Sequence, residues 1–405
     1  MATVVLVGTL DTKGHEYGYL RDRVREHGVD VLLVDAGVLD QPLIEADVSR
    51  EEVAQAAGAD HAELLAAQDR GAAVEAMGRG AAEVVMRLHA EGRLDGVAAV
   101  GGSGNASIAA EAMRGLPVGV PKLIVTTLAS GDTRPYVGAS DVTMTYSVVD
   151  IAGLNRISER ILANAAGAIA GMAKAKVGAS DGRPLIGATM FGVTTPCVTR
   201  ARERLEEFGY EVLVFHATGT GGQSMEALVE GGFLAGVLDV TTTELADDLV
   251  GGVLSAGPGR LEAAGRLGVP QVVSLGALDM VNFGPMETVP AEFRGRNLYV
   301  HNPTVTLMRT TPEECRELGR RIGRKLSAAM GPTALFIPLR GVSMIAVEGQ
   351  PFHDPEADAA LLEGLRETLD PELEVHELET DINDADFALA MANRLHEFVQ
   401  AWVPA

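Results

Sequence analysis

One stretch near the start of the chain occurs a second time near its middle. VLVGTLDTKGHEYGYLRDRVREHGVDVLLVDAG, residues 5–37, lies beside LIGATMFGVTTPCVTRARERLEEFGYEVLVFHATG, residues 185–219, with Gly28 and Gly209 each just before the second strand of its copy. The likeness continues in Val120-Pro121-Lys122-Leu123-Ile124-Val125 and Val269-Pro270-Gln271-Val272-Val273-Ser274. A duplicated order of strand, helix and strand predicts two units of one architecture. Val4 to Val7 is a β-branched run too short for a helix and bounded by glycine, which reads as a parallel strand buried on both faces. Tyr17, Leu20 and Val24 follow at helical spacing, and Gly28 ends the pattern.

Carried along the chain, the same reading predicts strands over residues 30–34, 96–100, 123–126, 185–188, 212–215, 236–240, 271–275 and 334–337. Helices are expected over 106–113, 155–175, 312–330, 356–368 and 385–402, and in two or three pieces over 51–93, broken near Gly58 and Asp60. Strands alternating with helices make a parallel, doubly wound sheet whose ligands sit beyond the carboxyl ends of the strands. The expected fold is α/β: two doubly wound Rossmann-like lobes with a cleft between them. An N-terminal lobe over 1–178 and a C-terminal lobe over 184–405 meet at Lys176 to Pro184, which has linker composition.

Charge limits the partners. Thirty-three basic against 56 acidic residues leave −23, a sign that opposes nucleic acid and anionic membranes, so any phosphate site must be local. No stretch approaches the roughly 20 apolar residues that span a bilayer, and no signal peptide precedes Val4. Two cysteines, Cys197 and Cys315, make no disulfide framework. A soluble, reduced, cytoplasmic protein is expected.

Polar, glycine-bearing loops fall at the strand ends. In the first half these are Gly8-Thr9-Leu10-Asp11-Thr12-Lys13-Gly14, Gly101-Gly102-Ser103-Gly104-Asn105, and the run from Thr127 through Ser130 and Gly131 to Arg134. Glycine admits a ligand close to the backbone, and free N–H groups at a helix start favour phosphate or carboxylate. Ordinary helix capping and tight turns explain the same residues without a ligand. In the second half, His216 to Ser224, Thr241 to Asp248, Ser255 to Arg260 and Gly276 to Pro285 crowd hydroxyls and carboxylates at strand ends. Glu244, Asp248, Asp279 and His216 are the acid or base candidates, with Arg260 or Arg340 to pair a substrate anion. Cys197 in a helix's first turn is either an inert core thiol or a thiolate stabilised by the helix field.

GTLDTKGHEY, GGSGN, TTLASGD, TTTELADDLVGG, SAGPGRLEAA and GALDMVNFGP, in this order, resemble the Tm-one-like ATP-binding family. The match covers essentially the whole chain, and six blocks in order are specific where any one is weak. The resemblance implies two α/β subdomains, ATP binding, and assembly to a homodimer or higher homo-oligomer. No Walker pattern is present, since Lys13 precedes its glycine. Phosphate would instead rest on backbone N–H groups of Gly8 to Gly14 and Gly101 to Asn105, with Lys13 as a point charge. Asp11 would arrange the water shell of a Mg2+ that enters with the phosphates, and Arg134 or Lys122 would neutralise a second phosphate. Two functions stay open: an enzyme acting on a small anionic metabolite in the inter-lobe cleft, and a nucleotide-sensing interaction module.

Overall fold

A computed structural model describes residues 1–176, 178 and 182–402. Val177, Ala179, Ser180 and Asp181 of the expected linker lie outside the described residues. The chain divides into two compact units, Met1–Gly178 and Ala179–Ala405, each with its own core.

The first unit runs β1 (Thr3–Gly8), α1 (Leu10–Glu26), β2 (Asp30–Asp35), α2 (Arg50–Ala56), α3 (His61–Ala67), α4 (Arg70–Ala90) and β3 (Gly96–Gly101). It continues with α5 (Ser103–Arg114), β4 (Lys122–Thr126), the short α6 (Arg134–Val137), β5 (Thr143–Tyr146) and α7 (Arg156–Ala173). Its five strands form one parallel sheet in the order β2-β1-β3-β4-β5. Both faces are covered, as the unbroken apolar strands require. Val4 and Leu6 pack with Tyr17, Leu20 and Val24 of α1 and the alanines of α7, whereas Val5 and Val7 pack with α2, α4 and α5.

The second unit runs β6 (Leu185–Met190), α8 (Thr195–Glu207), β7 (Glu211–His216), α9 (Thr220–Glu230), β8 (Leu234–Thr241), α10 (Glu244–Val250), α11 (Ala263–Leu267) and β9 (Gln271–Gly276). After it come β10 (Met280–Phe283), β11 (Leu298–Asn302), β12 (Val305–Arg309), α12 (Pro312–Ser327), β13 (Thr333–Pro338), α13 (Pro355–Thr368), β14 (Glu374–Leu378) and α14 (Ala385–Ala401). Six of these strands form a parallel sheet ordered β14-β13-β9-β8-β6-β7. Counted from its own first strand, that is the order of the first unit with one strand added, as the duplicated sequence predicts. The antiparallel trio β10-β12-β11 interrupts the repeat between β9 and β13.

That trio was not expected, and neither were two strands of the parallel sheets. β5 is a half-exposed edge strand, and β14 carries Glu374, His376 and Glu377, so neither shows the buried run that marks the others. At β14 the polar side chains have local partners: the ring of His376 stacks on Phe336 and Glu374 pairs with Arg394.

Helices α12 and α13 approach backbone to backbone, because Gly319 and Gly364 face each other's helix. A methyl at Gly364 would run into the carbonyl oxygen of Arg316. Gly364→Ala should therefore cost roughly 1–3 kcal/mol of stability in urea denaturation, against the gain that Ala normally brings to a helix.

Candidate functional site

In the first sheet the strand order reverses between β1 and β3, and there the ladder stops early. Pairing runs from Val4 opposite Gly96 to Leu6 opposite Ala98. Beyond it the hydroxyl of Tyr17 enters from α1, donating to the carbonyl of Val7 (2.6 Å) and accepting from the amide of Val100 (2.9 Å) and from Nδ2 of Asn105 (2.8 Å). The Asn105 amide also donates to the Val100 carbonyl, which fixes its orientation. A β-carbon at Gly8 would collide with the Tyr17 ring, and one at Gly101 with the Asn105 side chain. These two glycines make room for protein side chains, and neither lines the cavity described next.

That cavity, about 680 Å³, opens at the ends of β1 and β3 and is lined entirely by the first unit. Its size falls within the usual range for small-molecule sites. Of the residues expected to bind a nucleotide, Thr9, Asp11, Thr12, Lys13, Gly102, Ser103, Gly104 and Asn105 line it. Thr127, Ser130 and Gly131 do not. They form a 3-10 turn after β4, one strand beyond the reversal point. One wall is apolar, with Val38, Leu39, Leu64, Val74 and Ile108.

Helix caps differ around this cavity. Ser49, Asp60 and Asp69 cap α2, α3 and α4 with their side chains. Thr9 before α1 and Gly102 before α5 supply no side-chain cap. Among the described residues, no acceptor meets the N–H groups of Ser103, Gly104 or Asn105. Two oxygens are the converse: Oδ1 of Asp11 and Oδ1 of Asn105 are buried without a donor. Asp11 is otherwise fixed, its Oδ2 accepting from the amide of Leu39 (2.8 Å). A ligand suited to this cavity thus offers an anion to the α5 amides and donors, such as hydroxyls or the waters of a hydrated cation, to the two oxygens.

Sequence reasoning missed the strap from Leu64 to Arg70, which crosses from α3 to α4 and forms one side of the cavity. It turns at Gln68, which takes a left-handed conformation (φ 53°) with no glycine to announce it. Lys13 lines the cavity with its ammonium donating to the Ile151 carbonyl. The other two expected cations are committed elsewhere. Lys122 is fully buried and pairs with Asp141 (2.6 Å), while the exposed Arg134 forks onto Asp132 (2.9 and 2.8 Å).

The second unit spends its loop chemistry on itself. Glu244, fully buried, accepts from the amides of Gly219 (2.7 Å) and Gly222 (3.0 Å) at the start of α9 and pairs with Nε of Arg260 (2.6 Å). Arg260, equally buried, forks onto Asp239 (2.5 and 2.7 Å), and Asp239 accepts from Thr189 (2.6 Å). Burial disfavours the charged guanidinium, but Asp239, Glu244 and Glu226 outweigh it and hold its pKa well above normal. Neither Glu244 as an acid or base nor Arg260 as a substrate clamp survives this geometry.

The remaining candidates separate. Asp248 accepts from Ser255 (3.1 Å) and pairs with Arg321 (3.0 Å); His216 is exposed, edge-on to the Phe191 ring; Arg340 is exposed near Glu379. Among the described residues, Asp279 keeps a buried free atom: its Oδ2 accepts from Ser343 (2.8 Å), and its Oδ1 has no donor. Desolvation pushes its carboxyl up to about 6 despite the nearby Arg309 and the Ser343 bond. Cys197 is the inert alternative, since burial, with a smaller contribution from Asp381, pushes its thiol up to about 12. At the strand reversal of this sheet, between β6 and β8, the hydroxyls of Thr194 and Thr241 meet at 2.7 Å. Asn383 accepts from the Cys197 amide (3.3 Å) at the start of α8. Among the described residues, no three His, Cys, Asp or Glu side chains are grouped to hold a metal, and no helix is long and apolar enough to cross a membrane.

Fold and site define an α/β protein of two doubly wound units, the first carrying a ligand-sized cavity at its strand reversal. The chain belongs to the uncharacterised protein family UPF0261: the family's N-terminal domain matches residues 2–178 and its C-terminal domain residues 183–399. A UPF0261 protein of Clostridium tetani is 54% identical over 97% of this chain and 98% of its own length. The ToMV resistance protein Tm-1(GCR237) of Solanum lycopersicum is 40% identical over 97% of this chain but only 55% of its own, so the family resemblance read from the six blocks holds. Among solved structures, a putative UDP-N-acetylglucosamine 2-epimerase from Listeria monocytogenes aligns over 93% of this chain and 99% of its own. Its identity of 13% and TM-score of 0.26 are too low to speak for this chain.

Two outcomes follow from the buried acids. Glu244→Gln should cost roughly 3–5 kcal/mol in urea denaturation, because it leaves Arg260 buried and short of a partner. Asp279→Asn should gain stability relative to wild type as pH rises from about 4 through 6. The buried carboxyl, raised to about 6, stabilises the fold only while protonated, and that contribution is lost on ionisation. Paired melting curves from pH 4 to 8 read the difference, and a constant offset would refute it.

Proposed function

We propose that the first unit is a nucleotide-binding module and that ATP is its ligand. The observation that carries this reading is the uncapped start of α5 beside two donor-less buried oxygens in one cavity. The phosphates accept from the amides of Ser103, Gly104 and Asn105, where the helix field favours an anion. The base lies on the apolar wall. Mg2+ accompanies the phosphates, with Asp11 oriented to take part through the cation's water shell, since one carboxylate plus phosphate oxygens suits this ion. The family resemblance supports the same ligand, and it also supports a homodimer or larger homo-oligomer.

For the whole chain, two readings divide on the second unit. An enzyme acting on a small anionic metabolite rests on Asp279, whose free oxygen and raised pKa suit proton transfer. A nucleotide-sensing interaction module is favoured by the closed networks around Glu244 and Asp248, which leave those acids nothing to catalyse. The geometry favours the module. Release of phosphate from ATP, or turnover of a small carboxylate, by wild type but not by Asp279→Asn would reverse that preference.

Gly102→Val tests the cavity. A β-carbon at Gly102 meets nothing within 4 Å and its backbone is extended (φ −78°), so the fold tolerates a side chain there. Valine would occupy the space over the first turn of α5. Calorimetric titration with Mg-ATP should show affinity falling by at least about tenfold, with the ligand-free melting temperature unchanged. Equal affinity would move the nucleotide out of this cavity.

A further inference from the structure

The cavity contains a cation that no motif announced. Arg70 is the first residue of α4, whose start is capped by Asp69 (Oδ1 to the Ala72 amide, 3.0 Å). Its side chain is exposed and lines the cavity. Its Nη2 stands 3.5 Å from the point where a β-carbon on Gly104 would lie, which puts the guanidinium over the first turn of α5. Among the described residues it has no hydrogen-bond or ion-pair partner, although Asp11 and Asp69 line the same cavity. The preceding helix, α3, buries only His61, so the strap that delivers Arg70 is lightly anchored.

We infer that Arg70 is the residue that selects a phosphate chain at this site, closing over anionic oxygens already held by the amides of Ser103, Gly104 and Asn105. The inference rests on the placement of phosphate at the start of α5 in the nucleotide reading. A guanidinium presents a planar fork of donors, stays charged at every working pH and matches two phosphate oxygens at once, which an ammonium does not. The backbone amides supply the other donors from below. An anion placed between them meets donors on two sides, in a chain whose net charge of −23 offers it no general attraction. The donor-less oxygens of Asp11 and Asn105 add a requirement of their own, namely that the ligand bring hydroxyls or a hydrated cation along with its phosphates. A polyphosphate ester of a sugar, carried with its divalent cation, meets all of these demands, whereas an unphosphorylated nucleoside leaves Arg70 and the α5 amides without acceptors.

The test compares wild type, Arg70→Gln and Arg70→Lys by titration calorimetry with Mg-ATP, adenosine and inorganic tripolyphosphate. Arg70 is exposed and unpartnered, so the variants should melt as wild type does. Arg70→Gln should bind Mg-ATP and tripolyphosphate roughly 10- to 100-fold more weakly while binding adenosine as before. Arg70→Lys should recover only part of the loss, because the fork is gone. Equal losses for adenosine and ATP, or no loss for ATP, would overturn the assignment. Wild type that binds tripolyphosphate but not ATP, with Arg70→Gln weakened, would leave the clamp standing and remove the nucleotide reading. Wild type that takes up none of the three would remove both.

Discussion

Two parallel strands that part company leave backbone groups unpaired, and such groups are costly inside a protein. In the first unit the Tyr17 hydroxyl takes up the Val7 carbonyl and the Val100 amide where β1 and β3 separate. The placement of Asn105 follows from that wedge. Its remaining lone pair holds the Asn105 amide nitrogen, which places Asn105 at the start of α5 with its oxygen turned away from every donor. The wedge also dictates Gly8 and Gly101, since any side chain there would displace the tyrosine or the asparagine. Burial pushes the Tyr17 hydroxyl far above its ordinary range, so the wedge stays neutral at physiological pH.

The second unit repeats the topology and arrives at the opposite chemistry. At the start of α9 it supplies its own anion: the Glu244 carboxylate accepts two amides, as a bound phosphate would, and Arg260 neutralises it from behind. Asn383 does the same for α8 with a neutral oxygen. A helix start satisfied by a buried side chain gains nothing from a ligand, and opening it would strand Arg260 among carboxylates. Strand order alone would have nominated both reversal points. The hydrogen bonds favour the first.

Much of this was legible in the sequence. The parallel strands announce themselves as β-branched runs, and the repeat with Gly28 and Gly209 fixes two like units. The loops at Thr9 to Lys13 and Gly102 to Asn105 follow from strand ends meeting helix starts. Roles within those loops were harder to read, because glycine serves a ligand and a neighbouring tyrosine ring equally well. Glu244 was misread for a related reason: a carboxylate beside threonines looks the same whether it faces water or an arginine 16 residues on, and only the fold shows that Arg260 reaches it. Arg70 escaped notice because its strap turns at Gln68 rather than at a glycine, inside a stretch whose alanine content reads as helix throughout.

Charge explains why the proposed ligand would be held by aimed groups rather than by field. Lys13 and Arg70 stand among Asp11, Asp69 and Asp150 on the cavity wall, so acids outnumber bases even there. The Lys13 ammonium is already turned to the Ile151 carbonyl. A polyanion entering such a place gains from directed donors, the α5 amides and the Arg70 fork, and loses to the carboxylates unless it brings positive charge with it. On the nucleotide proposal, the metal complex would suit this wall better than the bare polyphosphate, because its cation would convert Asp11 from a repulsive neighbour into an acceptor for coordinated water. On that proposal the carboxylate that weakens the hold on a bare phosphate chain would strengthen it on the metal complex, so that selection at this site would begin with the charge state of the ligand.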